Sequence, residues 1–146
     1  MKAIISLMVS ALIAISGFSQ DLVQWGYSPK KILDKTYEIR LTPIVQSPWH
    51  IYSQTSPEGG ALPTTISFNK NPKICIEGKT KEVGKVVSKY EDVFEVVKYF
   101  EGQADFVQIV KFKSNIKTNI NGSIEYMACN DEQCLPPKTV DFSVRL

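Results

Sequence analysis

Three cysteines and a single histidine are the residues of this 146-residue chain best suited to covalent or metal chemistry. Cys129 and Cys134 enclose four residues, Asn130-Asp131-Glu132-Gln133. Two thiols at that spacing suit a structural disulfide, a thiol–disulfide exchange centre, or half of a zinc site. A Cys-x4-Cys step lies at the outer edge of zinc-ligand spacings. Only His50, with Asp131 of the intervening loop, would complete such a set, and nothing in the sequence brings the four together, so no metal is expected. Bridging so short a loop stabilises a fold by only about 2 kcal/mol on the chain-entropy model. A disulfide at an exposed turn also belongs to the exchangeable class. Spacing alone therefore supports a staple and a redox pair equally. Cys75, in Lys73-Ile74-Cys75-Ile76-Glu77, reads as a free thiol packing as a small side chain, although the odd cysteine count leaves a reactive role open. No Gly-x-Ser-x-Gly turn accompanies His50, and no phosphate-cradling glycine motif occurs.

The state of those thiols depends on the compartment. Lys2 followed by the apolar run Ala3–Phe18, with small residues at Gly17 and Ser19, reads as a secretory signal cleaved before Gln20. The run is too short, and its end too polar, for a membrane anchor. Residues 1–19 are thus expected to be removed, leaving 20–146 as one exported domain in which a disulfide persists. The formal net charge of +2, with lysines scattered among acidic residues, argues against a nucleic-acid surface.

The elements that must position the cysteines read as strands. Tyr37/Ile39/Leu41, Ile66/Phe68, Ile74/Ile76, Ile124/Tyr126/Ala128 and Val140/Phe142/Val144 each alternate with polar or exposed positions, the period of a half-buried sheet. Turn signals fall between them at Glu58-Gly59-Gly60, Asn69–Pro72, Glu77-Gly78-Lys79, Glu101-Gly102-Gln103 and Asn121-Gly122. Tyr90–Phe100, the nearest approach to a helical window, is rich in valine and aromatics and reads as extended. The fold class is all-β, an immunoglobulin-like β-sandwich. Cys129 and Cys134 then face each other between the last two strands.

The run Gly122–Cys129, the acidic loop, Cys134-Leu135-Pro136-Pro137 and Val140–Val144 resembles the N-terminal periplasmic domain of the thiol:disulfide interchange protein DsbD. Trp49-His50-Ile51-Tyr52 is similar to the family's aromatic segment near its cysteines, and Tyr90-Glu91-Asp92-Val93-Phe94 to its cap loop. The resemblance implies a redox-active pair and no small-molecule cofactor. It implies that Cys134 forms the mixed disulfide and Cys129 resolves it. Phe94 would cap the pair with Glu91 and Asp92 beside it, and His50 and Tyr52 would line the site. It also implies a thioredoxin-like domain or a DsbD-type membrane reductase as donor, and periplasmic thioredoxin-fold proteins as acceptors, including those of cytochrome c biogenesis. Asp131, Glu132, Glu91 and Asp92 should raise the thiol pKa values, since like charge opposes a thiolate. Two features depart from the family: four residues between the cysteines where its best-known members have five, and histidine at position 50 where they carry tyrosine. With no membrane span and no thioredoxin-like domain in the sequence, the donor is expected to be a separate protein. The alternative is a non-catalytic immunoglobulin-like binding module with a structural disulfide.

Overall fold

The computed structural model of the chain describes residues 21–57, 61–91, 95–115 and 117–146. The signal segment 1–19 and the Glu58-Gly59-Gly60 turn lie outside the described residues. Within them the chain is all-β, with no helix, and so no helix long and apolar enough to cross a membrane. The strands are β1 (Val23–Leu33), β2 (Thr36–Val45), β3 (His50–Tyr52), β4 (Thr65–Phe68), β5 (Ile74–Val83) and β6 (Val87–Glu91). They continue with β7 (Glu95–Glu101), β8 (Asp105–Phe112), β9 (Asn119–Tyr126), β10 (Ala128–Cys129) and β11 (Lys138–Arg145).

These strands form three antiparallel sheets, ordered β1-β2-β8-β5, β10-β3-β7-β6 and β11-β9-β4. Period-two alternation decides which side chains meet between them. Val23, Ile39, Leu41, Phe106 and Val110 of the first sheet pack with Ile51, Phe100 and Ala128 of the second and Ile120, Ile124, Phe142 and Val144 of the third. The result is the immunoglobulin-like sandwich that the alternation implies. On the outer side of the second sheet, Tyr52, Val97, Tyr99, Met127 and Cys129 form a smaller cluster of their own. Cys75 is exposed on β5 beside buried Ile74, as the alternation requires.

Two sequence readings are corrected. Asn121-Gly122 is no turn, because Gly122 lies inside β9, opposite Phe142 of β11 and Phe68 of β4. A Cβ there would stand 2.2 Å from the Ser67 carbonyl oxygen and 2.5 Å from Phe142 Cζ. Glycine is needed for close approach of the neighbouring strand and ring, not for reversal of the chain. Glu77-Gly78-Lys79 likewise lies inside β5, at an irregularity in its pairing with β8 between Glu77 and Lys81. Gly78 adopts a left-handed φ of 66° there, the backbone geometry of a glycine bulge. The described parts of Tyr90–Phe100 are extended, as their valine and aromatic content implies, and belong to β6 and β7, which pair antiparallel through Glu91↔Glu95.

The bulge is served by a residue that hydropathy does not single out. Gln108 of β8 is buried to 1% exposure. Its amide donates to the Glu77 carbonyl at 2.8 Å and the Ile109 carbonyl at 3.1 Å, and accepts from the Thr80 hydroxyl at 2.8 Å. These bonds satisfy polar groups that the displaced ladder leaves behind. Gln108→Leu should therefore cost about 1–3 kcal/mol in denaturant unfolding, because the Glu77 carbonyl and Thr80 hydroxyl lose a partner in a buried setting. Gly122→Ala should cost about 1–3 kcal/mol by overpacking.

Candidate redox site

Cys129 and Cys134 are joined by a disulfide, with their Cα atoms 4.0 Å apart. The local backbone explains why the two sulfurs meet. Asn130 N–H donates to the Gln133 carbonyl, and Leu135 N–H to the Ala128 carbonyl, each at 2.9 Å. Cys129 and Cys134 are thus a bridged antiparallel pair that exchanges no hydrogen bond, the position at which facing side chains come closest. The Asn130 side chain tightens the turn further. Its Oδ1 accepts from the Glu132 and Gln133 N–H groups at 2.9 and 2.8 Å, an Asx-type turn of the kind asparagine and aspartate form. This turn is closed by its own backbone and Asn130, apart from the sulfur bridge.

The two cysteines occupy different environments. Cys129 is 1% exposed, on a two-residue strand held against β3. Cys134, five positions on, is exposed. The disulfide accordingly presents one sulfur-bearing residue to solvent and keeps the other in the smaller cluster. Their chain neighbours Ala128 and Leu135, with Tyr126 and Pro136, line a cleft of about 180 Å³. An ion pair stands at its rim, between Lys138 Nζ and Asp21 Oδ1 at 2.8 Å.

Register places the aromatic residues expected near the pair. Cys129 is the cross-strand partner of His50, and Ala128 that of Ile51. On the other side of β3, His50 pairs with Glu101 and Tyr52 with Tyr99 of β7. Partners in register share a face, so His50, Tyr52, Tyr99 and Cys129 stand together, while Ile51, Phe100 and Ala128 point into the main core. The His50 ring stacks on Tyr99 with centroids 4.1 Å apart and meets Tyr52 edge-on at 5.4 Å. Its Nε2 lies 3.3 Å from the Tyr52 hydroxyl, and both residues are buried. His50 and Tyr52 are therefore brought beside Cys129.

Glu91 closes β6, whereas Asp92 and Phe94 lie outside the described residues. Two residues near the cysteines went unnoticed in the sequence. Tyr99 carries a signal that alternation offers, since Val97 and Tyr99 share the buried side of β7. Lys89 carries none, and its Nζ lies 3.9 Å from Asp131 Oδ1 with both side chains largely exposed. The acidic loop next to the cysteines is thus faced by a lysine, which weakens the like-charge effect expected on the thiols, within the small scale of exposed pairs. Among the described residues no three His, Cys, Asp or Glu side chains are grouped to hold a metal ion. What the arrangement can do chemically is exchange: an attackable sulfur outside, and a leaving sulfur in a packed aromatic setting.

No protein-family model matches the sequence, and no curated protein matches it. Solved structures do. The N-terminal periplasmic domain of ScsB from Proteus mirabilis superposes with a TM-score of 0.60 at 17% identity, over 87% of this chain and 47% of that one. This chain thus spans about half the length of the ScsB structure. The DsbD N-terminal domain of Neisseria meningitidis, in its reduced form, gives a TM-score of 0.51 at 13% identity, over 82% of this chain and 84% of that one. A complex between the DsbD N-terminal and PilB N-terminal domains of Neisseria meningitidis gives 0.48 at 12% identity, covering 80% of each chain. At such identities the likeness is one of fold: this chain has the fold of the N-terminal periplasmic domains of ScsB and DsbD.

Proposed function

We propose that the chain is a periplasmic thiol:disulfide oxidoreductase module that relays reducing equivalents through Cys129 and Cys134. The observation that carries this reading is the asymmetry of the pair. An exposed Cys134 is joined to a Cys129 buried at 1%, across a turn that backbone hydrogen bonds already close. A bridge needed only as a staple would gain little at a site so closed, about 2 kcal/mol for a loop of this length. Exchange, by contrast, requires one sulfur open to in-line attack.

The steps follow from that asymmetry. A donor thiolate attacks Cys134 Sγ, the Cys129–Cys134 bond breaks, and its electron pair leaves on Cys129. A second donor thiol then attacks its own sulfur in the mixed disulfide, releasing reduced Cys134 and an oxidised donor. Toward the acceptor the order reverses: Cys134 thiolate opens the acceptor's disulfide, and Cys129 attacks Cys134 to release the reduced acceptor. Each passage moves two electrons and needs no small-molecule cofactor. A thioredoxin-like domain or a DsbD-type membrane reductase suits the donor role. Periplasmic thioredoxin-fold proteins, including those of cytochrome c biogenesis, suit the acceptor role. The cleft lined by Leu135 and Pro136 adjoins Cys134 and suits the contact with either. Phe94, with Glu91 and Asp92, is proposed as the cap between encounters, on the likeness of Tyr90–Phe94 to the DsbD cap loop. Export through the segment 1–19 belongs to the same reading.

The mature protein should equilibrate with glutathione or dithiothreitol buffers at a potential of about −180 to −270 mV, read by alkylation and mass. A value below about −300 mV would mark a structural bridge and favour the binding-module alternative. Cys129→Ser should accumulate a mixed disulfide with a thioredoxin-fold protein through Cys134, visible on a non-reducing gel. Cys134→Ser should trap none, because the remaining sulfur is buried.

A further inference from the structure

We propose that His50 is the proton donor and acceptor for Cys129 during exchange, a role that rests on the redox reading above. The motivating observation is the register, which makes His50 the direct cross-strand partner of Cys129 on a shared face. Directly opposed residues of an antiparallel pair have Cβ atoms about 4.5–5.5 Å apart, so the two side chains leave the sheet side by side.

The chemistry asks for such a group. When a donor thiolate attacks Cys134 Sγ, the breaking bond leaves its electron pair on Cys129 Sγ, which is 1% exposed. A thiolate there is opposed by desolvation. Proton transfer from the His50 imidazolium gives a neutral thiol and a neutral imidazole, and no charge remains buried. In the return step neutral His50 takes that proton back. The Cys129 thiolate then attacks Cys134 Sγ in the mixed disulfide with the acceptor and expels the acceptor thiolate.

The surroundings of His50 suit both of its protonation states. The Tyr52 hydroxyl, 3.3 Å from Nε2, accepts from the charged ring and donates to the neutral one, since a hydroxyl has both capacities. The ring is stacked on Tyr99, 4.1 Å between centroids, and Glu101 is the cross-strand partner of His50 on β7. Lys89 of β6 lies on the same side of the sheet, but its ammonium pairs with Asp131 of the cysteine turn, where Glu132 is exposed. Charges of both signs thus lie on the elements around His50.

The test is the rate of reduction of the oxidised mature protein by excess dithiothreitol, expressed per reductant thiolate, between about pH 5 and 8, where an imidazole titrates. In the wild type this rate constant should fall roughly ten-fold or more with rising pH, a modest general-acid effect. His50→Gln, which retains a hydrogen-bonding side chain beside Tyr52, and His50→Phe, which retains the stack on Tyr99, should both give flat profiles near the wild-type high-pH value. A wild-type profile without slope, or the same slope in either folded variant, overturns the proposal. Failure of the redox reading is distinct, because it appears as a potential below about −300 mV while excess reductant still yields the kinetic profile.

Discussion

Two residue pairs, Ala128↔Ile51 and Cys129↔His50, tie the cysteine turn to the rest of the molecule. Much else depends on that short register. Because side chains alternate with a period of two, a slip of one residue would turn Cys129 into the main core and Ala128 out to the aromatic cluster. The register in turn is held by burial. Ile51 and Ala128 belong to the main core together with Phe100, so the hydrophobic packing of one face of the sheet orients the chemistry on the other.

The cysteine turn shows a division of labour between backbone and sulfur. Hydrogen bonds from Asn130 and Leu135, together with the Asn130 carboxamide, set the hairpin. The disulfide forms at the point of closest side-chain approach within that hairpin. None of the hydrogen bonds that set the hairpin runs through the sulfur bridge. The exposure of Cys134 and the burial of Cys129 then distinguish two chemically identical groups by access alone.

Elsewhere the sandwich accommodates two local exceptions to plain alternation. At Gly122 a side chain is omitted so that Phe142 and the Ser67 backbone can close over β9. At the β5 bulge a buried polar side chain is inserted, Gln108, whose amide replaces ladder hydrogen bonds. Neither position touches the cysteines. Both hold the sheets against which the site is built, and both make the fold specific rather than merely hydrophobic.

Much of this was legible in the residues: the all-β class from the period of two, and the cysteine pair with His50 and Tyr52 from types and a family likeness. Asn121-Gly122 was misread because a glycine required for close approach looks, in sequence, the same as a glycine required for a turn. Gln108 carried no signal, since a polar residue in an alternating run normally faces water. Local properties such as periodicity, signal composition and turn-forming asparagine are set by neighbours along the chain, and the amino-acid sequence by itself determined them. Which sulfur is exposed, that His50 faces Cys129, that Tyr99 stacks on His50 and that Lys89 answers Asp131 were decided only by the tertiary structure. Those contacts join strands distant in sequence, and their register follows from the packing of the whole core rather than from any local pattern.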